Sequence, residues 1–256
     1  MLLAIDMGNT AIKFGVFDGE ILVFTARMLT VRGKTGDQYA AEIKQIFSLR
    51  GFDCADITDL VISSVVPELT EVICSGVEII AGIKPVVVKP GLKTGINILI
   101  DRPSELGADL LVGAVAAATK YTLPCLVVDL GTANKISVVK KGNVYAGGII
   151  APGIDVSLSG LSLSASQLFS VSVNVPSKVI GTNTIDCMQS GIVFGTASMI
   201  DGMINRINEE LGSNTFVVAT GGYAEKIIPH CKTNIHCEKN LLLHGLKIIF
   251  DKNSSI

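Results

Sequence analysis

The chain lacks tryptophan, is poor in aromatics, carries almost no net charge and has no long apolar run. Each lack removes a class of function. Phe and Tyr make up 5% of 256 residues, too few for the stacking platforms that hold single-stranded nucleic acids. A net charge of −2 predicts neither a basic face for nucleic acid nor an acidic tail for a basic partner. No stretch reaches the ~18–20 apolar residues that span a bilayer. Met1-Leu2-Leu3-Ala4-Ile5-Asp6 has no basic start and no cleavage site, so no secretory signal is expected. Six cysteines, at 54, 74, 125, 187, 231 and 237, form no Cys-x-x-Cys pair, which predicts reduced thiols and a cytoplasmic protein. His230, Cys231, His236 and Cys237 crowd together, but in no usual zinc spacing. Ordinary buried cysteines are expected there, with a metal site as the alternative.

What is present is a core, with 48% hydrophobic residues, and an internal echo. An apolar strand ends in Asp6-Met7-Gly8 and another in Asp129-Leu130-Gly131, 123 residues later. Gly142 follows Gly19 at the same offset of 123. In both places the pattern predicts a strand, a tight turn, a second strand, a glycine turn and a third strand. Helix–strand alternation follows, so each half is expected to be a mixed sheet with helices on its faces. Helices are predicted over 36–50, 67–80 and 184–211, and a buried strand over 58–64. The last helix has its cap at Asn183 or Thr184 and its stop at Gly212. A break at Tyr121-Thr122-Leu123-Pro124 divides the chain into expected domains of 1–118 and 119–256. The Lys252–Ile256 tail is expected to fray.

Four segments carry chemistry. In Asp6-Met7-Gly8-Asn9-Thr10 the glycine lets a phosphate approach the backbone, the turn offers N–H groups, and Asp6 can hold a hydrated Mg²⁺. Taken alone it is a weak signal, because Asp-x-Gly-Asn is a common hairpin. Its counterpart, Asp129-Leu130-Gly131-Thr132-Ala133, changes the balance. Two matching turns facing each other across a cleft can clamp the β- and γ-phosphates of one nucleotide. Thr220-Gly221-Gly222, after an apolar strand, allows a flat adenine to approach, or is a simple strand–helix turn. Pro103-Ser104 reads as a helix start, which places Asp109 near a helix N-terminus, where the dipole favours its charged form. Such a carboxylate can accept a proton from an attacking alcohol, or is a surface or capping residue. Gly33-Lys34-Thr35 is no phosphate-binding Walker loop, because position 28 is Met rather than Gly.

In this order the motifs resemble type III pantothenate kinases. Ser63-Ser64-Val65-Val66-Pro67, Thr94-Gly95-Ile96 through Gly107-Ala108-Asp109, Gly147-Gly148-Ile149-Ile150-Ala151-Pro152-Gly153, and Thr184 with Met188-Gln189-Ser190-Gly191 carry the likeness. The resemblance implies an α/β fold of two duplicated actin/ribonuclease H-like domains, with mixed sheets flanked by helices and a cleft between them. It implies phosphorylation of pantothenate by ATP with Mg²⁺, the first step of coenzyme A biosynthesis, in a cytoplasmic homodimer whose substrate site lies at the subunit interface. Asp6, Met7, Gly8, Asn9, Thr10, Ala11, Ile12 and Lys13 would cradle ATP, with Thr132 also in contact. Asp129 would bind a monovalent cation, K⁺ or NH₄⁺. Gly107, Ala108, Asp109, Leu110 and Thr184 would line the pantothenate site, with Asp109 the proton acceptor.

The chain departs from the family pattern at Leu110, where the family has Arg, and at Ile100, where Tyr is common. It departs again at Asn134, Lys135 and Ser137, which replace Thr and Asp residues. Lys135 can supply a charge that a cation supplies elsewhere. Leu cannot pair with a carboxylate as Arg does. Two alternatives follow: a catalytically impaired paralogue that binds nucleotide or pantothenate in a regulatory role, and a kinase for another small alcohol.

Overall fold

The computed structural model describes residues 1–165, 168–169 and 171–254. The chain begins with three strands, β1 (Leu2–Met7), β2 (Ala11–Asp18) and β3 (Ile21–Leu29), followed by helix α1 (Gly36–Leu49). Strand β4 (Asp59–Ser64), helix α2 (Pro67–Ala81), the short strands β5 (Val86–Val87) and β6 (Asn97–Ile98), and helix α3 (Ala108–Lys120) come next. Then follow β7 (Cys125–Leu130), β8 (Ala133–Lys140), β9 (Val144–Pro152), α4 (Ile154–Ser164) and α5 (Thr184–Leu211). The chain closes with β10 (Phe216–Thr220), α6 (Ala224–Ile227), β11 (His236–Cys237) and α7 (Leu241–Ser254).

Two compact units result. The first contains residues 1–96, 101–116 and the helix α7; the second contains 97–100 and 117–240. A division into 1–118 and 119–256 therefore needs two corrections. Helix α7 packs on β1 and β4 of the first unit, with Leu242, Leu243, Leu246 and Ile249 set against Leu2, Ala4 and Val61. Residues 97–100 belong to the second unit, where β6 pairs with β9. Neither exchange is visible locally, because both depend on which sheet has an uncovered face or edge.

In the first unit the strand order is β3-β2-β1-β4-β5. β1 is antiparallel to β2 and parallel to β4. All six residues of β1 are buried, as a central strand covered on both faces requires. Leu3, Ile5 and Met7 join the core with Tyr39, Ile43 and Phe47 of α1 and Leu69, Ile73 and Val77 of α2. The alternate residues Leu2 and Ala4 meet Val112 and Val115 of α3 and the apolar face of α7. Asp6 continues that second row to the C-terminal end of β1.

The second unit orders its strands β11-β10-β7-β8-β9-β6. Apart from β6 this is the same plan, with β7, β8, β9, β10 and β11 in the places of β1 to β5. Leu126, Val128 and Leu130 of β7 share a core with α4 and with Met188, Ile192, Val193, Ala197, Ile200 and Ile204 of α5. Both units are thus mixed sheets flanked by helices.

The glycine turns expected after the second strand of each meander are present, with φ +55° at Gly19 and +78° at Gly142. α5 starts and stops where the sequence predicts. The Asn183 side chain accepts the Asp186 N–H, and Gly212 ends the helix at φ 63°. The rejected Walker-like stretch proves to be a helix start, in which the Thr35 side chain and Gln38 form a reciprocal capping box on α1. Lys34 instead pairs with Glu42 at 2.6 Å. Thr35→Ala should lower stability by about 1 kcal/mol, the usual worth of an N-cap, read as a shifted urea midpoint at unchanged slope.

Two local expectations change. Pro103–Glu105 form a separate 3₁₀ turn, closed by extended Leu106, so the helix proper begins at Ala108. Lys252–Ser254 are the last turn of α7 rather than a frayed tail; Ser255 and Ile256 lie outside the described residues.

Candidate functional site

In the first unit Asp6 is 8% exposed, opposite Lys13 on β2 and Ser63 on β4. The turn after it is tied down. The Gly8 N–H donates to Ala11 O at 3.0 Å, and Thr30 N–H donates to Thr10 O at 3.1 Å. Thr30 Oγ1 donates to Gly8 O at 2.7 Å. Asn9 and Thr10 are exposed at its tip, with Ala11 and Lys13 half-buried. Met7 and Ile12 are fully buried, so of those two only the backbone can serve a ligand. Gly8 does not adopt a positive φ. Its lack of a side chain matters because a Cβ would stand 3.2 Å from Ala11 O.

The second unit repeats this construction. The Gly131 N–H donates to Ala133 O at 3.2 Å. Asp129 lies opposite Lys135 as Asp6 lies opposite Lys13. The constant offset of 123 would set Lys13 against Ile136, but the turn here is one residue shorter. Gly131 to Ala133 connect Leu130 to Asn134, whereas Gly8 to Ala11 connect Met7 to Ile12. Lys135 Nζ is 2.8 Å from Asp129 Oδ2, with both side chains 16% exposed.

Two segments that are far apart in sequence converge on this second turn. Gly153, the N-cap of α4, lies under it, and a Cβ there would be 2.2 Å from Thr132 O and 2.6 Å from Gly131 O. Gly221 has φ +101°, and a Cβ on it would be 2.5 Å from the Leu130 carbonyl. Here the backbone approach and the left-handed conformation both demand glycine. Gly222 meets nothing in the same test. The Tyr223 N–H donates to Leu130 O at 3.1 Å, Asn134 Nδ2 donates to Pro152 O at 3.0 Å, and the Tyr223 hydroxyl donates to the Asp155 carboxylate. Sequence reasoning assigned no role to Gly153. Only the Pro152-Gly153 pair before a helix hinted at one.

Asp109 lies in the first turn of α3. Its Oδ1 accepts the Leu110 N–H at 2.8 Å, and Gly107 leaves room for it, since a Cβ there would be 2.6 Å from that oxygen. Gly107, Ala108, Asp109 and Leu110 are all half-buried. Thr184 belongs to the second unit. It is exposed at the start of α5 and lines a groove of about 740 Å³ with Gly181, Cys187, Met188 and Ile192. Another groove, of about 670 Å³ between α5 and β10–β11, contains none of the expected site residues.

Among the described residues no three His, Cys, Asp or Glu gather to hold a metal ion. In the cluster near 230–237 the cysteines differ from the buried ones expected: Cys231 is half-buried and Cys237 exposed. Partial burial pushes the Cys231 thiol up to about 12 and raises Cys237. The His236 ring packs against Tyr121. All six cysteines are free. A hydrated Mg²⁺ fits Asp6, because Mg²⁺ needs only one or two carboxylates beside phosphate and water. A monovalent cation does not fit Asp129, whose carboxylate already holds an ammonium.

A sequence model of type III pantothenate kinase matches residues 2–206. A type III pantothenate kinase of Halalkalibacterium halodurans is 42% identical over 253 residues, covering 99% of this chain and all of the relative. One of Geobacter sulfurreducens is 42% identical over 253 residues, with 99% of each chain covered. Among solved structures, component A of (R)-2-hydroxyglutaryl-CoA dehydratase from Acidaminococcus fermentans superposes with TM-score 0.58 at 19% identity, covering 99% of this chain and 98% of that one. This last likeness is one of fold alone.

Proposed function

The chain belongs to the type III pantothenate kinase family, and from that premise we propose how its residues divide the work. The activity is transfer of the ATP γ-phosphoryl group to the primary hydroxyl of pantothenate, giving 4′-phosphopantothenate, the first step of coenzyme A biosynthesis. The observation that carries this reading is one turn built twice, an Asp-x-Gly facing a Lys across a strand pair in each unit. A phosphoryl-transfer enzyme needs positioning and charge neutralisation more than covalent help.

Asp6 to Lys13 cradle the ATP phosphates. The Gly8 N–H closes its own turn, so the following N–H groups and the Asn9 and Thr10 side chains face the anion. Asp6 would hold a hydrated Mg²⁺, whose charge would offset that of the phosphates. Thr132, on the matching turn of the second unit, contacts nucleotide phosphate, and the Gly221-Gly222 backbone there allows adenine to lie close. Gly107, Ala108, Leu110 and Thr184 hold pantothenate. Asp109 orients the hydroxyl and takes its proton.

The common strand order of the two sheets supports duplicated actin/ribonuclease H-like domains. Exposed Ile150, Val156, Leu163, Val179, Ile180 and Ile185 on the second unit support a homodimer that covers them. Free cysteines support a cytoplasmic location, and among the described residues no helix is long and apolar enough to cross a membrane.

A coupled ADP-release assay should give turnover that requires pantothenate and Mg²⁺. ATP binding without turnover would instead identify a paralogue that has lost catalysis, and turnover only with other alcohols a different acceptor. Leu110→Arg should lower the KM for pantothenate by roughly ten- to a hundredfold, because a hydrogen bond between charged groups contributes ~1.5–3 kcal/mol. An unchanged KM would remove position 110 from carboxylate recognition.

A further inference from the structure

We propose that Lys135 is a built-in cation, and that its ammonium group stands at Asp129 in place of the K⁺ or NH₄⁺ that the family resemblance implies. The inference rests on the reading that the Asp129 turn meets nucleotide phosphate. Three observations carry it. The strand register sets Lys135 directly opposite Asp129, where cross-strand side chains on one face are neighbours. Nζ is 2.8 Å from Oδ2, and both groups are largely withdrawn from solvent at 16% exposure. The turn between them is fastened by the Gly131 N–H, by Tyr223 and, through Asn134, by Pro152, so the pair has a fixed frame.

A primary ammonium is an NH₄⁺ ion with one proton replaced by carbon, and it brings the same single charge. Held at this carboxylate it neutralises Asp129 beside the Thr132 turn and so lets a phosphate approach. A second monovalent cation at the same carboxylate would be repelled by Nζ and would find fewer oxygen ligands. Because Lys135 is tethered, the charge is present at any external salt composition. Lys135 is a positioning residue: it acts through Asp129 and the turn, not on the reacting atoms.

The test uses the wild-type chain in buffer whose sole monovalent cation is N-methyl-D-glucamine, with K⁺ or NH₄⁺ added in parallel samples. Mg-ATP affinity is read by calorimetry and pantothenate-dependent ADP release by a coupled assay. Neither should change by more than about twofold when K⁺ or NH₄⁺ is added, since the local charge is already in place. A tenfold or larger rise in affinity or rate, the order expected if a bound ion were the main local charge, overturns the proposal. Lys135→Thr should weaken Mg-ATP binding about tenfold without K⁺ and regain it when K⁺ or NH₄⁺ is supplied. Lys135→Arg, which keeps the charge, should stay insensitive to K⁺ and serves if the Thr variant does not fold. Equal ATP affinity of Lys135→Thr with and without K⁺ also overturns the idea. Salt-independent ATP binding without pantothenate turnover would leave the built-in cation standing and defeat the kinase reading. No ATP binding in any buffer would defeat both.

Discussion

Asp109→Asn should reduce kcat by roughly 10²–10⁴, the usual worth of a positioned general base. The two side chains have the same shape. The Asn oxygen can still accept the Leu110 N–H that Asp109 Oδ1 accepts at 2.8 Å, so α3 should keep its first turn. What disappears is the negative charge, and with it the ability to take the proton of the attacking hydroxyl. Its stabilising interaction with the helix dipole is also lost, at about 0.3–1 kcal/mol, far too little to unfold the chain. Mg-ATP affinity should stay near wild type, because the role proposed for Asp109 is at the acceptor hydroxyl and not at the phosphate turns. Single-turnover kinetics separate the chemical step from binding. A variant retaining nearly full turnover would remove Asp109 from the role of proton acceptor.

Gly153→Ala should lower kcat/KM for ATP on the order of 10²-fold, the penalty of a displacement near 1 Å at a reacting centre. The added Cβ would lie 2.2 Å from Thr132 O and 2.6 Å from Gly131 O. Both are backbone atoms, and the Gly131 N–H bond to Ala133 limits how far they can move. The start of α4 is itself held by the bonds of Asn134 to Pro152 O and of Tyr223 to Asp155, so the turn lifts and Thr132 shifts. The φ of Gly153 is −73°, which any residue can adopt, so the effect is one of contact and not of backbone strain. ATP affinity and an ADP-release assay measure it together. Gly160→Ala, further along α4, is the control, since a Cβ there meets nothing within 4 Å. Equal behaviour of the two variants would show that the turn is not held from below by α4.

The two turns show how far sequence comparison reaches. Asp6 and Asp129, with the strands before them and the glycine turns after them, stand out because a strand ending in Asp-x-Gly is a local pattern. The equivalence of Lys13 and Lys135 does not stand out. A turn one residue shorter moves every later side chain to the other face, and only the strand register restores the correspondence. Asp109 was legible as a helix-start carboxylate, although the helix begins at Ala108 rather than at Pro103. Its support by Gly107 could not be read, because it depends on a side chain turning back over its own N-terminus. Thr184 was legible as the first residue of α5, but the groove it lines was not.

The sequence by itself determined the strands of the two meanders, their glycine turns, the cap and stop of α5 and the family, because hydrophobic period, capping residues and motif order act within a few neighbouring positions. Only the tertiary structure decided that α7 returns to the first unit, that Gly153 and Gly221 press against the second turn, and that Lys135 lands on Asp129. Those placements depend on which faces remain uncovered and on how strands align in register, and no short stretch of sequence carries that information.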